Sequence, residues 1–352
     1  MKILYLTDLP TPYRTRLLSM LAEKTELTAL FERKTASYRN AKWLRSDGPK
    51  PYREVFLHGI RRDNRLLFSP EPLPYLLKRW DRIVIGGYST VTDVLSILLL
   101  RLLRRPFIIS CDGILPKQTD KKKTALKRLL ISSAACVLST NDVSTQLLRA
   151  HGAKKVCLYP FSSVLEADVA TGLFDKQAYK KKIGCGTEKM ALYVGQMIHR
   201  KGVDCLTEAF RTLDPERYSL FLVGGKTAST EGNVHYVDFK QKDELEDYYR
   251  AADVFVLPTR EDIWGLVVNE ALARGLPVVT TDNCGAGLAM IRDGYNGYLA
   301  PVEDSAALAD RIEKVCTAPD YEAMCMHALE TAREYTIEKM AQRTLEILGQ
   351  EG

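Results

Sequence analysis

Short apolar runs and helical stripes alternate along the whole 352-residue chain. Nearly continuous apolar runs predict strands at Lys2–Thr7, Leu27–Phe31, Arg82–Ile85, Phe107–Cys111 and Cys136–Ser139. A second series follows at Ala191–Gly195, Ser219–Val223, His235–Phe239, Val254–Pro258 and Val278–Thr281. Helical spacing predicts helices near Asp204–Thr212, Asp243–Ala251, Leu266–Ala273 and Ser305–Cys316, with a last helix at Ile337–Leu348. Alternation of this kind predicts an α/β fold with parallel sheets covered on both faces. No internal repeat and no low-complexity segment interrupts it.

The pattern breaks once, at LYPFSSVLEADVATG, where a proline, serines and a change of composition follow the last strand of the first series. This divides the chain into two Rossmann-like domains, 1–162 and 163–334. The helix in 335–352 is expected to cross back to the first domain. Two such domains would face each other across a cleft. In open α/β sheets ligands sit at the carboxyl ends of the strands, so the residues just past each strand are the ones to inspect.

Composition adds little except through its asymmetry. An apolar fraction of 46% and a charged fraction of 27% are those of an ordinary globular chain. Residues 1–160 hold 29 Lys and Arg against 13 Asp and Glu, a balance of +16; residues 161–352 hold 21 against 31, or −10, which together give the chain's +6. A basic half suggests an anionic partner (a membrane surface, a phosphorylated lipid or nucleic acid) or a solvated basic face. Lys117, Lys121, Lys122, Lys123, Lys127 and Arg128 crowd one short stretch of it. The eight scattered cysteines form no C-x-x-C pair, so they read as free thiols in a reducing cytosol rather than a zinc or thioredoxin-like site. MKILYLTDL reads as a buried strand, not a signal peptide. The run VLSILLL is far shorter than the roughly 18 apolar residues of a membrane span and reads as a core-facing helix.

Candidate chemistry sits at the strand ends. No G-x-G-x-x-G follows the first strand; TDLPTPYR stands there, with Thr11 as an N-cap and Pro12 opening the helix. A nicotinamide or flavin enzyme loses weight accordingly. P-loop and H-E-x-x-H patterns are also missing from the sequence, and no D-x-D signals a metal-dependent sugar transferase. In PTREDIWGLVVNEALARGLPVVTTD a strand runs through acids at Glu261 and Asp262 into a helix beginning near Gly265, stopped at Gly275 and followed by Pro277. Free N–H groups at that helix start favour an anion. Glu270 lies inside the helix, where two vicinal ribose hydroxyls would satisfy it. The same residues also fit a plain helix with an exposed Glu270 and a capping Asp262. Three further loops carry glycines or cations: GQMIHRKG with His199, Arg200 and Lys201, FLVGGKT with Gly224, Gly225 and Lys226, and TTDNCGAG with Gly285 and Gly287. Anion-friendly loops on neighbouring strands suggest a diphosphate ligand.

The second half resembles the nucleotide-sugar domain of the retaining glycosyltransferases of GT-B fold, family four. The family's acid, seven residues, glutamate signature reads DIWGLVVNEALARGLPV here, from Asp262 to Val278, and its glycine-to-lysine loop reads GQMIHRKG, from Gly195 to Gly202. The likeness is strong over 190–300 and weaker over 1–160, where TDLPTPYR, IGGYST and YPFSS resemble bacterial polysaccharide-assembly members. It implies that Glu270 holds the donor's ribose, that Lys201 with Arg200 binds the diphosphate, and that Asp262 contacts the transferred sugar. Gly195, Gln196, Gly224, Gly265, Leu266 and Val267 complete the implied donor site. Three positions depart from the pattern: Gln196 replaces a phosphate-binding arginine, Asp262 is one methylene shorter than the usual glutamate, and Ala289 stands where a glutamate often follows.

The acceptor is expected on the basic half. Gly86 and Gly87 end one strand there, ahead of a capping box from Thr90 to Asp93; they fit either a ligand's close approach or a tight turn. Asp112 ends another strand. It is a candidate to orient or deprotonate an acceptor hydroxyl, and also a candidate turn former. The resulting expectation is a metal-independent, retaining transferase with no cofactor beyond its donor, a nucleoside diphosphate sugar. Its acceptor would be a glycan or lipid-linked hydroxyl in bacterial surface polysaccharide synthesis. It would be cytoplasmic, peripheral on the inner face of the membrane, with no nucleic acid partner. A GT-B epimerase and a non-catalytic nucleotide-sugar-binding subunit are the rival readings. An epimerase would convert its donor with no acceptor present; a binding subunit would turn over nothing.

Overall fold

A computed structural model describes residues 1–34, 49–62, 65–116, 121–186 and 188–350. Lys117, part of the basic stretch singled out above, lies outside them. The chain divides into two compact units, Met1–Ser163 with Ile337–Gly352, and Val164–Thr336.

The first unit holds strands β1 (Lys2–Thr7), β2 (Glu26–Phe31), β3 (Arg53–Phe56), β4 (Ile60–Arg62), β5 (Arg65–Phe68), β6 (Arg82–Ile85), β7 (Ile108–Ser110), β8 (Cys136–Ser139) and β9 (Val156–Leu158). Seven of them form one parallel sheet in the order β3-β2-β1-β6-β7-β8-β9, while β4 and β5 make a separate antiparallel pair. Its helices are α1 (Pro12–Ala22), α2 (Pro72–Leu77), α3 (Val91–Leu102), α4 (Lys121–Ser133) and α5 (Asp142–Ala150). The second unit holds α6 (Lys176–Ile183), α7 (Val203–Phe210), α8 (Lys242–Ala251), α9 (Leu266–Leu272), α10 (Gly285–Met290), α11 (Ser305–Cys316) and α12 (Tyr321–Glu334). Its strands are β10 (Lys189–Val194), β11 (Tyr218–Gly225), β12 (Ser229–Glu231), β13 (Val234–Asp238), β14 (Val254–Leu257), β15 (Val278–Thr281) and β16 (Gly297–Ala300). They form a sheet in the order β12-β13-β11-β10-β14-β15-β16, parallel except at β12.

Both sheets follow from the apolar runs. Strands covered on both faces cannot alternate, and five of the six residues of β1 and of β2, and all of β14 and β15, are buried. The last helix, α13 (Ile337–Gln350), buries Ile337, Met340, Ala341, Thr344, Ile347 and Leu348, a stripe at helical spacing, and packs on α1 in the first unit. Arg82 fastens it by donating to the Leu348 carbonyl. The run VLSILLL forms a core-facing helix as expected: α3 buries Ile97 and Leu100, packs Val94, Leu98 and Leu99 against the same core and leaves Leu95 exposed; Leu102, beyond the run, also stands outside. Thr11 occupies the N-cap position of α1 without a side-chain capping bond.

Candidate functional site

The acidic loop is held by its backbone before its side chains act. It leaves β14 at Leu257 and enters α9 through Gly265, whose φ of +96° favours glycine and whose added Cβ would lie 2.9 Å from Cys284 Sγ. Asp262 N–H donates to the Asn283 carbonyl at 3.1 Å, and Gly285 N–H donates to the Asp262 carbonyl at 3.0 Å. The Gly285 amide, at the start of α10, is thus spent on the acid loop rather than on a ligand. Gly265, not Asp262, caps α9, so the reading of Asp262 as a helix cap does not hold.

With its backbone pinned, Asp262 turns its carboxylate to Lys201, whose Nζ donates to Oδ2. Arg200 Nη1 lies 3.8 Å from Oδ1. Both members of the Lys201–Asp262 pair are 14% exposed, so the pair is sheltered yet reachable. The Glu261 carbonyl accepts from Arg200 Nη1 at 2.6 Å. Lys201 ends a single 3-10 turn, His199–Lys201, between β10 and α7. Arg260 braces that turn: its Nη1 donates to the His199 carbonyl at 2.7 Å, and its guanidinium grips both Asp204 oxygens at 2.8 Å and Glu303 at 2.7 Å. Those hydrogen bonds hold the Asp204 carboxyl down at about 2. Behind the turn, Gly224 at the end of β11 comes so close to Gly195 that an added Cβ would sit 2.4 Å from the Gly195 carbonyl oxygen. The Gln196 carbonyl is tied to Tyr193 Oη at 2.8 Å. The ends of β11, β10, β14 and β15, adjacent in the sheet, therefore bring Gly224, Gly195, Lys201 and Asp262 to one edge.

Glu270 sits a turn into α9, after Leu266 and Val267 of the first turn, whose N–H groups have no partner within a helix. It is not a plain exposed glutamate. Tyr249 of α8, itself buried, donates its hydroxyl to Glu270 Oε2 at 3.0 Å. Burial raises the Glu270 pKa above the ordinary value, opposed by the Arg274 charge and the Tyr249 hydroxyl. Arg274 stacks over the Tyr249 ring at 5.5 Å and binds Glu246 at 2.8 Å, locking α8 to α9.

In the first unit, Gly86 and Gly87 follow β6, and the Thr90–Asp93 capping box is present. Thr90 Oγ1 also donates to Glu32 Oε1 at 2.7 Å, just past β2. Burial and the neighbouring Asp93 charge push the Glu32 carboxyl up to about 8, and burial lifts Asp93 to about 6. Asp112 is held by a buried cation, accepting from Arg14 Nη2 at 2.8 Å, while Arg14 Nη1 donates to Tyr5 Oη at 3.0 Å. Among the described residues no group of three or more His, Cys, Asp and Glu could hold a metal ion, and no helix is long and apolar enough to cross a membrane.

Four residues escaped the sequence reading: Tyr249, Arg260, Arg14 and Glu32. Each acts on a partner far along the chain, and the roles of Arg14 and Arg260 do not follow from the stretches TDLPTPYR and PTRED that contain them. Glu32 and Arg260, just past the carboxyl ends of β2 and β14, carried a usable signal.

Residues 175–334 match the family model described as Glycosyl transferases group 1. A Bacillus subtilis (strain 168) protein, named as a candidate teichuronic acid biosynthesis glycosyltransferase, TuaC, is 29% identical over 221 residues, covering 59% of this chain and 54% of that protein. The chain thus spans about half the length of that curated relative. Two solved structures share the fold. Sucrose-phosphate synthase of Thermosynechococcus elongatus has a TM-score of 0.74 at 19% identity, covering 99% of both chains. Anabaena HepE, solved in complex with UDP-glucose, has a TM-score of 0.72 at 14% identity, covering 99% of this chain and 100% of its own. A little under half of the chain thus matches Glycosyl transferases group 1, and the fold of the whole is GT-B.

Proposed function

We propose that this protein transfers a sugar from a nucleoside diphosphate donor to a hydroxyl of a glycan or lipid-linked acceptor in surface polysaccharide synthesis, with retention of anomeric configuration. The observation that carries the reading is the Lys201–Asp262 pair at adjoining strand ends of the matched domain. A sheltered ammonium beside a carboxylate is a ready site for an anion that also brings hydroxyls: diphosphate to Lys201, sugar hydroxyls to Asp262. Anabaena HepE, of the same fold, was solved with UDP-glucose, which supports a donor of this class.

In this reading the diphosphate takes over Lys201 Nζ, with Arg200 beside it, and the Leu266 and Val267 amides face the phosphates. Asp262, released from Lys201, accepts hydrogen bonds from the sugar. Glu270, fixed by Tyr249, accepts from the two ribose hydroxyls. As the sugar–phosphate bond breaks, charge grows on the leaving diphosphate, and a preplaced cation then stabilises the transition state more than the ground state. Lys201 and Arg200 meet that charge without a metal. Asp112, with one oxygen occupied by Arg14, orients the acceptor hydroxyl by its remaining lone pairs.

The test is turnover. The purified chain is incubated with a panel of nucleoside diphosphate sugars and a lipid-linked glycan extract, with and without chelator. Release of the nucleoside diphosphate that requires acceptor, survives chelator and yields a product of unchanged anomeric configuration supports the reading. Donor interconversion without acceptor, or an inverted product, contradicts it.

A further inference from the structure

The outer layer of the first unit carries a feature that sugar transfer does not use. Among the described residues sixteen large apolar side chains are exposed, and eight of them lie on α2, α3 and α4 or at the residue ending α3. These helices have only 6, 12 and 13 residues, and α3 packs against both of the others. The outer face of a surface helix is ordinarily polar. Here Leu95 and Leu102, two turns apart on one face of α3, stand outside, Leu102 at 79% exposure. On α4, Leu126 and Leu129 follow Lys122 at i+4 and i+7, so leucines and lysine share a face. Leu77 of α2 is 62% exposed.

The charge on these three helices is almost all positive, with Glu71 at the start of α2 and Asp81 past its end as the flanking acids. Lys121, Lys122, Lys123 and Arg128 are exposed on α4, Arg101 on α3, and Lys78 and Arg79 at the end of α2. The three helices contain a single acid, Asp93, and it is buried in its capping box. Lys127 is withdrawn, its ammonium 5.8 Å from the Tyr88 ring centroid, so the outward cations are those at the helix ends and on the leucine face.

We propose that the α2–α3–α4 face docks on an anionic lipid bilayer, its leucines entering the acyl boundary and its lysines and arginines meeting lipid phosphates. Apolar area and one-signed cations on the same surface match that interface on both counts. A protein partner of opposite charge would meet the cations but need not supply an apolar slab, and a second copy would bring like charges together. The inference stands on exposure and charge alone and does not depend on the donor site.

The experiment is vesicle co-sedimentation of the full chain, with neutral phosphatidylcholine vesicles and with vesicles containing 30% phosphatidylglycerol (about that fraction suffices to set a negative surface potential). The wild type is expected to bind the anionic vesicles and to lose binding as salt rises. Lys121→Gln, Lys122→Gln and Lys123→Gln together should lower the partition coefficient by about 100-fold, since each cation near such a surface contributes about fivefold. Leu126→Ser with Leu129→Ser should lower it by about tenfold or more without changing the salt slope. All five positions are exposed, so the variants should fold; Leu129→Trp gives an independent readout, a blue shift of emission on anionic vesicles only. Equal partitioning onto both vesicles, or unchanged binding in both sets of variants, overturns the proposal. So does a concentration-dependent dimer that the leucine variants abolish, because the face would then belong to a second copy.

Discussion

Lys201 donates to Asp262 across 61 residues of chain, joining the loop after β10 to the loop after β14. Neither residue is paired with a near neighbour in sequence, so the contact exists only because the two strands lie side by side in the sheet. In the proposed reading, Asp262 neutralises this cation until a donor binds, and the cation would become available to the diphosphate once Asp262 turns to the sugar. Lys201→Ala is therefore expected to lower turnover by roughly 100- to 1000-fold, the scale of losing one transition-state charge donor. Lys201→Arg should retain part of it. Steady-state kinetics with the identified donor, on variants whose melting curves match wild type, checks this.

Asp262 rather than Glu261 is expected to touch the transferred sugar. The backbone bonds to Asn283 and Gly285 fix the loop so that the Asp262 side chain meets Lys201, while the Glu261 carbonyl is held by Arg200. Asp262→Asn should cut the turnover number sharply with a modest change in nucleoside diphosphate affinity. Glu261→Gln should stay within a few-fold of wild type. The reverse pattern would move the motif's first acid to Glu261.

Tyr249 positions Glu270. Removing its hydroxyl in Tyr249→Phe leaves the ring under Arg274 and removes one hydrogen bond to a buried carboxylate, a loss of about 1–3 kcal/mol. The Glu270 pKa, already raised by burial, should then rise further, because the hydroxyl stabilises the charged form. The expected readout is a donor KM raised about fivefold or more with little change in kcat, and a donor-binding pH profile shifted upward. A merely structural tyrosine would lower stability without moving that profile.

Stability should depend on Glu32. Its folded-state pKa of about 8 lies above the ordinary 4.5, so the folded state binds more protons than the unfolded chain between those values. Stability is then full below pH 4.5 and falls as pH rises through about 8. Glu32→Gln should flatten this decline, melting closer to or above wild type at the alkaline end of the window. Thermal melts across that range decide it; parallel curves for the two proteins would contradict the assignment.

Much of the fold was legible because apolar runs bounded by polar residues are hard to place elsewhere. β1, β6, β8 and β15 and helix α11 fall on the predicted residues. Edges were not legible. β12 (Ser229–Glu231) is wholly exposed and polar, and only its pairing with β13 makes it a strand. β3 is half-polar, β16 is glycine-led and β9 is only three residues long, and α12 spreads a stripe of Met324, Cys325, Ala328 and Leu329 too weak to stand out beside its neighbours. At the site, the motif residues were visible but their partners were not. Tyr249 reaches Glu270 through the packing of α8 beside α9, and Arg14 reaches Asp112 across 98 positions; periodicity carries no signal for either. The glycines of TTDNCGAG suggest an anion-friendly turn, whereas the Gly285 amide at the start of α10 serves the acid loop.

The central claim is that Lys201, Asp262 and Glu270 form a nucleoside diphosphate sugar site, and calorimetric titration tests it most directly. UDP, GDP and ADP, and the corresponding sugars, are titrated into the full chain and into Lys201→Ala. One nucleotide family is expected to bind with one site per chain, and Lys201→Ala should weaken that binding by about tenfold or more, the loss of one charge-assisted hydrogen bond. Binding of none of them to the folded chain, or equal affinity in the two proteins, would contradict the account.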